Sequence, residues 1–112
     1  MRYLISSIAA LVLCGVASEA HAYKATVYGA GTVSCGKWLE SSSDIDARHF
    51  YTSWLLGWVS AASHYDVRGE LRDADTAAMS AWMDNYCHDH PLDGINVAAD
   101  ALVRAMAKQD KE

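Results

Sequence analysis

The chain repeats its apolar residues at the spacing of an amphipathic α-helix in several stretches, and the longest covers residues 47–64. One apolar stripe consists of Phe50, Trp54, Trp58 and Ala61, and a second consists of Tyr51, Leu55, Val59 and Ala62. Successive members of each stripe are three or four residues apart, which predicts a helix with a wide apolar face. Asp44 or Asp46 can cap its start. Gly57 inside it indicates close approach of a neighbouring element, since glycine costs about 1 kcal/mol there relative to alanine.

Two more helices are predicted towards the C-terminus. The first starts near Asp73 or Asp75 and runs to Cys87, before Pro91 stops it. Its apolar positions are Met79, Trp82, Met83 and Tyr86. Asp93 is then expected to cap a last helix. The inward positions of that helix are Ile95, Ala98, Ala99, Leu102, Val103 and Met106.

A short helix is predicted near the start of the domain. Ser34 can cap it, and it carries Cys35, Trp38 and Leu39 before a run of serines at 41–43. Residues 23–33 are expected to be an irregular N-terminal segment, with a flexible Gly-Ala-Gly at 29–31. No strand pattern of comparable quality follows residue 33. The predicted fold is therefore all-α, a small four-helix orthogonal bundle over residues 34–108 with a flexible tail at 109–112.

The first 22 residues have the pattern of a signal peptide. Arg2 supplies a positive charge, residues 3–16 are nearly all apolar, and Ala20-His21-Ala22 matches a signal-peptidase site. The apolar run is shorter than the roughly 20 residues that span a bilayer. We therefore expect export to the periplasm with no membrane span after cleavage, and Cys14 would leave with the signal peptide.

Cleavage after Ala22 would leave an acidic protein. Loss of Arg2, Glu19 and His21 changes the whole chain's 9 Lys plus Arg, 14 Asp plus Glu and 5 His to 8, 13 and 4. The formal charge stays at −5. Nucleic-acid binding needs a basic face, and the chain has no Lys/Arg cluster, so we expect no nucleic-acid partner.

Two cysteines, Cys35 and Cys87, remain in this predicted periplasmic form. An even pair in a short exported chain indicates one disulfide. Closing a loop of this length stabilises a protein by roughly 4 kcal/mol in the chain-entropy model. A metal site or a nucleophilic thiol are the alternatives, although the first needs more ligands near Cys35 and the second needs a free thiol.

We find no specific catalytic motif, and we predict neither an enzyme nor a cofactor. The carboxylates at predicted helix starts are explained by capping. His88 and His90 are two residues apart at a helix end and do not face each other, so we predict no metal site there. An enzyme becomes plausible only if the cysteines are reduced and His49 or His64 lies beside one of them.

The aromatic residues suit either a core or an interface. Trp38, Trp54, Trp58 and Trp82 are many for so small a domain, and their main role is expected in the core. Wide apolar faces on short helices also leave surface that a small bundle cannot hide. The candidate client, partner or dimer surface consists of Trp54, Trp58, Trp82 and Tyr51, and a homodimer is one way to cover it.

Three segments carry a resemblance to a known family: residues 34–40 (SCGKWLE), 54–58 (WLLGW) and 85–91 (NYCHDHP). Together with the alanine-rich stretch that follows, they resemble the HdeA/HdeB group of small periplasmic proteins, over about residues 34–107. The resemblance implies an all-helical fold with Cys35 and Cys87 as the disulfide. It also implies an acid-stress chaperone, a dimer near neutral pH that loosens in acid and holds unfolding periplasmic proteins without ATP.

The same cysteine and helix pattern is similar to Rap/Tai-type immunity proteins, which are small helical periplasmic proteins. That resemblance implies a single protein partner, a secreted cell-wall hydrolase that the protein inhibits. An acidic surface suits a basic hydrolase. The candidate contact patch lies around the middle loop and consists of Asp66, Glu70, Asp73 and Asp75.

Overall fold

The computed structural model describes residues 25–107, so the predicted signal peptide at 1–22 and the tail at 109–112 lie outside it. Four helices follow one another: α1 (Cys35–Glu40), α2 (Ile45–His64), α3 (Thr76–Asp89) and α4 (Ile95–Met106). Short 3-10 helices cover Gly29–Thr32 and Ser41–Ser43. The described part of the chain contains no strand, only two isolated bridges, Ser34 with Gly94 and Leu71 with Ala107. The prediction of an all-α, four-helix domain is confirmed.

Side-chain caps begin three of the four helices. The Ser34 hydroxyl accepts a hydrogen bond from the Lys37 N–H, the Asp44 carboxylate from Ala47, and the Asp75 carboxylate from Ala78. Each satisfies an N–H group that has no partner inside its helix.

The predicted cap of α4 was wrong. Gly94 occupies the N-cap position and makes no side-chain capping hydrogen bond. The Asp93 carboxylate instead accepts a hydrogen bond from the Tyr86 hydroxyl at 2.7 Å. The Asp93 side chain is therefore bonded to α3 and does not cap α4.

The core lies where all four helices meet, and α4 supplies much of it. Five of the six predicted inward positions of α4 are buried, and Val103 packs partly buried against them. The other helices add Trp38, Leu55, Val59, Met79, Met83 and both cysteines. Leu55 and Val59 come from the second stripe of α2, which therefore faces the core.

The first stripe of α2 lies at the edge of this core. Trp54 and Trp58 are half-buried, and Phe50 is 60% exposed. Gly57 lies beside this stripe on the exposed side, and a Cβ built on it would have no atom within 4 Å. The prediction of a close neighbour at Gly57 was therefore wrong.

The close approach occurs instead at the N-terminal glycines. Ala30 and Gly31 are buried in an ordered 3-10 helix, so the predicted irregular, flexible segment was wrong for this part. A Cβ on Gly31 would overlap the Trp54 indole, and Gly29 has a φ of +72° beside the same ring. Only glycine fits both requirements without strain.

The disulfide forms between Cys35 and Cys87, which are fully buried, with Cα atoms 4.8 Å apart. It ties the start of α1 to the end of α3, as predicted. The connection from α3 to α4 lies against the same point: the Cys35 N–H donates to the Asp93 carbonyl at 2.7 Å, and the Gly36 N–H to the Pro91 carbonyl at 3.0 Å. Among residues 25–107, no helix is both long enough and apolar enough to cross a membrane.

Candidate functional site

Trp38 lies at the centre of the domain and bonds to a carboxylate. Its indole Nε1 donates to Asp84 Oδ1 at 2.8 Å, and Arg48 Nη1 donates to the same oxygen at 3.0 Å. The Arg48 guanidinium also lies over the Trp38 ring, 4.5 Å from its centroid. One carboxylate on α3 therefore holds a tryptophan of α1 and an arginine of α2 together.

Two tryptophans form a stack on α2. The rings of Trp54 and Trp58 are nearly parallel, with centroids 5.0 Å apart. Trp54 Nε1 donates to the carbonyl of Tyr28 at 2.8 Å, and Trp58 Nε1 donates to Asp100 Oδ1 on α4 at 3.1 Å. This α2 stack, Trp54 and Trp58, thus joins α2 both to the N-terminal segment and to α4.

A second stack runs along α3 and past its end. Trp82, Tyr86 and His90 lie one turn apart, with centroids separated by 5.4 and 4.3 Å. The Tyr86 hydroxyl donates to Asp93, and this hydrogen bond, with lesser contributions from burial and the Asp93 charge, raises the pKa of Tyr86. We call these three residues the α3 stack.

The predicted surface residues lie on two helices, with Tyr51, Trp54 and Trp58 on α2 and Trp82 on α3. Trp58 contacts α4 through Asp100, whereas Trp82 borders a cleft with Leu102 and Ala105 of α4. Within the described residues no ring contact joins the α2 stack to the α3 stack. Tyr51 contacts Phe50, with centroids 6.0 Å apart. The aromatic surface is therefore divided between two helices.

The shared feature of these aromatic groups is a carboxylate partner. Trp38, Trp58 and Tyr86 each donate to an aspartate, respectively Asp84, Asp100 and Asp93. Hydrogen bonds to a charged acceptor are roughly twice as strong as those between neutral groups. Each of these three hydrogen bonds is therefore stronger when its aspartate is charged than when it is neutral.

The acidic patch predicted around the middle loop is partly used by the fold. Asp75 caps α3, and Asp66 Oδ2 accepts the Leu71 N–H at 2.8 Å. That hydrogen bond, followed by weaker ones from other N–H groups of the loop, lowers the pKa of Asp66. Glu70 lies 3.4 Å from Arg68, and Asp73 is exposed. Two of the four carboxylates therefore organise the backbone.

The histidines near the end of α3 lie apart from any ligand cluster. His88 is exposed with its Nδ1 3.4 Å from Asp89, and His90 Nδ1 lies 3.0 Å from the Tyr86 carbonyl. In the part of the chain that the structure describes, no three His, Cys, Asp or Glu side chains come together as a metal site. His64 packs edge-on against Tyr65, and both cysteines are in the disulfide.

No protein-family model matches this chain. No curated protein and no solved structure is significantly similar to it either. The resemblances to the HdeA/HdeB group and to immunity proteins thus rest on the quoted segments and remain predictions.

Proposed function

We propose that this protein is a non-enzymatic periplasmic chaperone that holds unfolding proteins in acid, without ATP. One observation carries the proposal: three aromatic side chains, Trp38, Trp58 and Tyr86, are each held by an aspartate. The signal-peptide pattern of residues 1–22 supports the location.

Near neutral pH the charged aspartates keep the rings in place. Asp84 also pairs with Arg48, so its charge binds three helices together. The domain is then folded, and the tryptophan and tyrosine rings of both stacks are half-buried.

Acid weakens this arrangement in two ways. Strong acid neutralises aspartate carboxylates in general, and a neutral acceptor makes a weaker hydrogen bond than a charged one. Protonation of the 13 acidic residues and four histidines of the predicted periplasmic form would also change its charge from −5 to +12, by the counts of the sequence. Self-repulsion then favours a looser state.

The disulfide limits how far the loosened domain unfolds. It keeps the start of α1 beside the end of α3, and both cysteines are fully buried. The chain therefore opens without becoming a free coil, and the rings of both stacks become available to apolar segments of other proteins. Return to neutral pH recharges the aspartates and reverses the change.

The test is the aggregation of an acid-sensitive periplasmic protein at pH 2–3 and at pH 7, followed by light scattering. The purified, oxidised protein is expected to suppress scattering in acid at one to a few molar equivalents and to have little effect at pH 7. No suppression in acid at a several-fold molar excess would reject the chaperone function.

A matched variant links that activity to the aspartates. Replacing Asp84, Asp93 and Asp100 together by asparagine keeps an acceptor oxygen but removes the charge. The variant is expected to suppress aggregation at a higher pH than the wild type. If both proteins act over the same pH range, the three aspartates do not control the activity.

The immunity function makes a different prediction. A stoichiometric complex with one cell-wall hydrolase at pH 7, without any effect on unfolding proteins in acid, would support it. The homodimer also remains a prediction, and the molar mass in solution at pH 7 tests it.

A further inference from the structure

Helix α4 differs from the other three helices in its connection to the disulfide. The bond between Cys35 and Cys87 encloses α1, α2 and nearly all of α3. Residues 95–106 lie outside that loop, and the covalent chain joins them to it at their N-terminal end only. When packing weakens, α4 can separate from the domain while the disulfide still holds α1 and α3 together.

The connection before α4 is well suited to act as a hinge. Its backbone is attached beside the disulfide, through Cys35 to Asp93 and Gly36 to Pro91. The Ile95 N–H also donates to the Val33 carbonyl at 2.8 Å. The beginning of α4 therefore stays near this point, and its far end has the greatest freedom to move.

The far end of α4 is held by the loop between α2 and α3. Arg72 N–H donates to the Met106 carbonyl at 2.9 Å, and its guanidinium donates to the Ala105 carbonyl at 2.7 Å. Leu71 forms an isolated antiparallel bridge with Ala107. Asp66 in turn holds the Leu71 N–H. We call this set of contacts the α4 latch.

Acid acts on the latch and on the side of α4. Because the Leu71 N–H lowers the pKa of Asp66, acid removes this charged acceptor only at a pH below the ordinary range of an aspartate. On the side of α4, the hydrogen bond from Trp58 also has a carboxylate, that of Asp100, as its acceptor. The titratable and charged groups on or around α4 and its latch are Asp100, Arg104, His64, Asp66, Arg68, Glu70, Arg72, Asp73, Tyr86 and Asp93.

Helix α4 packs against both α2 and α3, and its release would expose an apolar groove between them. Its floor includes Leu55, Val59, Met79 and Met83, all buried. Clefts of about 370 and 420 Å³ already open at its edges, and Met79 and Met106 line both. Methionine adapts its shape readily, which suits a groove that accepts varied apolar partners.

We propose that acid frees α4 from this groove and that the groove then binds an amphipathic helical segment of an unfolding protein. The occupant follows from α4 itself, which fills the groove with one isoleucine, two alanines, one leucine and one methionine on a single face. Helix-in-groove binding of this kind reads apolar residues at i, i+3, i+4 and i+7. This inference rests on the proposed chaperone function and adds a second binding surface to the aromatic stacks.

The probe is a fluorescent synthetic peptide with the sequence of residues 94–107. It is expected to bind the purified protein at pH 3 at least about tenfold more tightly than at pH 7, a difference of about 1.4 kcal/mol. A control peptide with Ile95→Asn and Leu102→Asn keeps the length and net charge but loses two apolar positions. Equal binding of both peptides at pH 3 would contradict a specific groove.

A variant of the protein with an added disulfide would hold α4 in place. Leu71 and Ala107 face each other in the antiparallel bridge. The hydrogen bond runs from the Arg72 N–H to the Met106 carbonyl, so Leu71 and Ala107 form a non-hydrogen-bonded pair. The Cα atoms of such a pair lie about 4.5 Å apart. That distance suits a disulfide. Leu71→Cys with Ala107→Cys, oxidised, is the locked variant, and Leu71→Ser with Ala107→Ser is its matched control. Mass spectrometry confirms the pairing.

In acid the control is expected to bind the peptide and the locked variant is expected not to. Peptide binding by the locked variant at pH 3, equal to that of the control, overturns the inference. The aggregation assay with a client protein separates the two proposals. If the locked and control proteins suppress aggregation in acid equally well, the chaperone function stands and release of α4 is rejected. Acid-dependent peptide binding that the lock abolishes, without any client suppression, supports the release and rejects the chaperone function.

Discussion

Asp84 stands where α1, α2 and α3 meet, with 48% of its side chain exposed. Its Oδ1 accepts hydrogen bonds from both Trp38 Nε1 and Arg48 Nη1. Because the Arg48 side chain is only 18% exposed, removal of its partner leaves a poorly solvated charge. A single carboxylate thus stabilises both a buried indole and a largely buried guanidinium.

The first residue-scale prediction concerns this carboxylate. Asp84→Ala is expected to lower the free energy of unfolding at pH 7 by about 1–2 kcal/mol, since it leaves two donors without an acceptor at a partly solvated site. Asp84→Asn keeps an acceptor and is expected to cost about half as much. Urea unfolding measures both, and an Asp84→Ala protein as stable as the wild type would contradict the proposed role.

The second residue-scale prediction compares two glycines. Gly31→Ala places a Cβ into the Trp54 ring and is expected to destabilise the domain by about 1–3 kcal/mol. Gly57→Ala, in open space inside α2, is expected to stabilise it by up to about 1 kcal/mol. Thermal unfolding of the two variants should move in opposite directions; a shift of the same sign would be inconsistent with the packing described.

The hydrogen-bond partners of the individual tryptophans could not be predicted from the sequence. Trp38 and Asp84 are 46 residues apart, and Trp58 and Asp100 are 42 apart. Helical periodicity shows which face a residue occupies but not which residue of another helix lies opposite. Of the three acceptors, only Asp93 was singled out, and the capping role predicted for it was wrong.

At the scale of elements, the helices followed from local signals. Ser34, Asp44 and Asp75 cap the predicted starts, and Pro91 lies two residues past the end of α3. These signals act within a few residues, so they can be detected in the chain itself. The N-terminal 3-10 helix was missed because its order depends on Trp54, which lies more than 20 residues away.

The element-scale prediction concerns the loop between α2 and α3. The pKa of Asp66 is lowered from 3.8, first because its carboxylate accepts the Leu71 N–H. A lowered pKa contributes stability that is complete above the ordinary value and is lost as the pH falls through the lower, folded-state value. NMR should show the Leu71 amide signal moving in that acidic range.

Asp66→Asn is the control for this loop. An asparagine does not titrate, so the Leu71 amide of the variant is expected to lose that acid-dependent shift. An unchanged titration of the Leu71 signal in the variant would mean that another group controls the loop.

At the scale of the whole molecule, the disulfide is the feature that the sequence predicted most directly. Its two cysteines and the predicted helices sufficed to tie the start of α1 to the end of α3. The division of the aromatic surface into two stacks was not predictable, because it depends on how α4 lies between α2 and α3.

The prediction at this scale is that the disulfide permits recovery from acid. Cys35→Ala with Cys87→Ala is expected to lose about 4 kcal/mol of stability, since the unfolded chain is no longer closed over 52 residues. After a pulse at pH 2–3, the wild type should regain its near-UV circular dichroism at pH 7, whereas the variant should aggregate or stay unfolded. Equal recovery of the two proteins would show that refolding after acid does not need the disulfide.

The central claim is that acid frees aromatic side chains that charged aspartates hold at neutral pH. Tryptophan fluorescence and light scattering across pH 7 to 2 test it most directly. We expect a reversible red shift of the tryptophan emission in acid without aggregation. In the variant with asparagine in place of Asp84, Asp93 and Asp100, this transition is expected at a higher pH. An emission spectrum unchanged down to pH 2.5 would contradict it and favour a binding protein that stays closed.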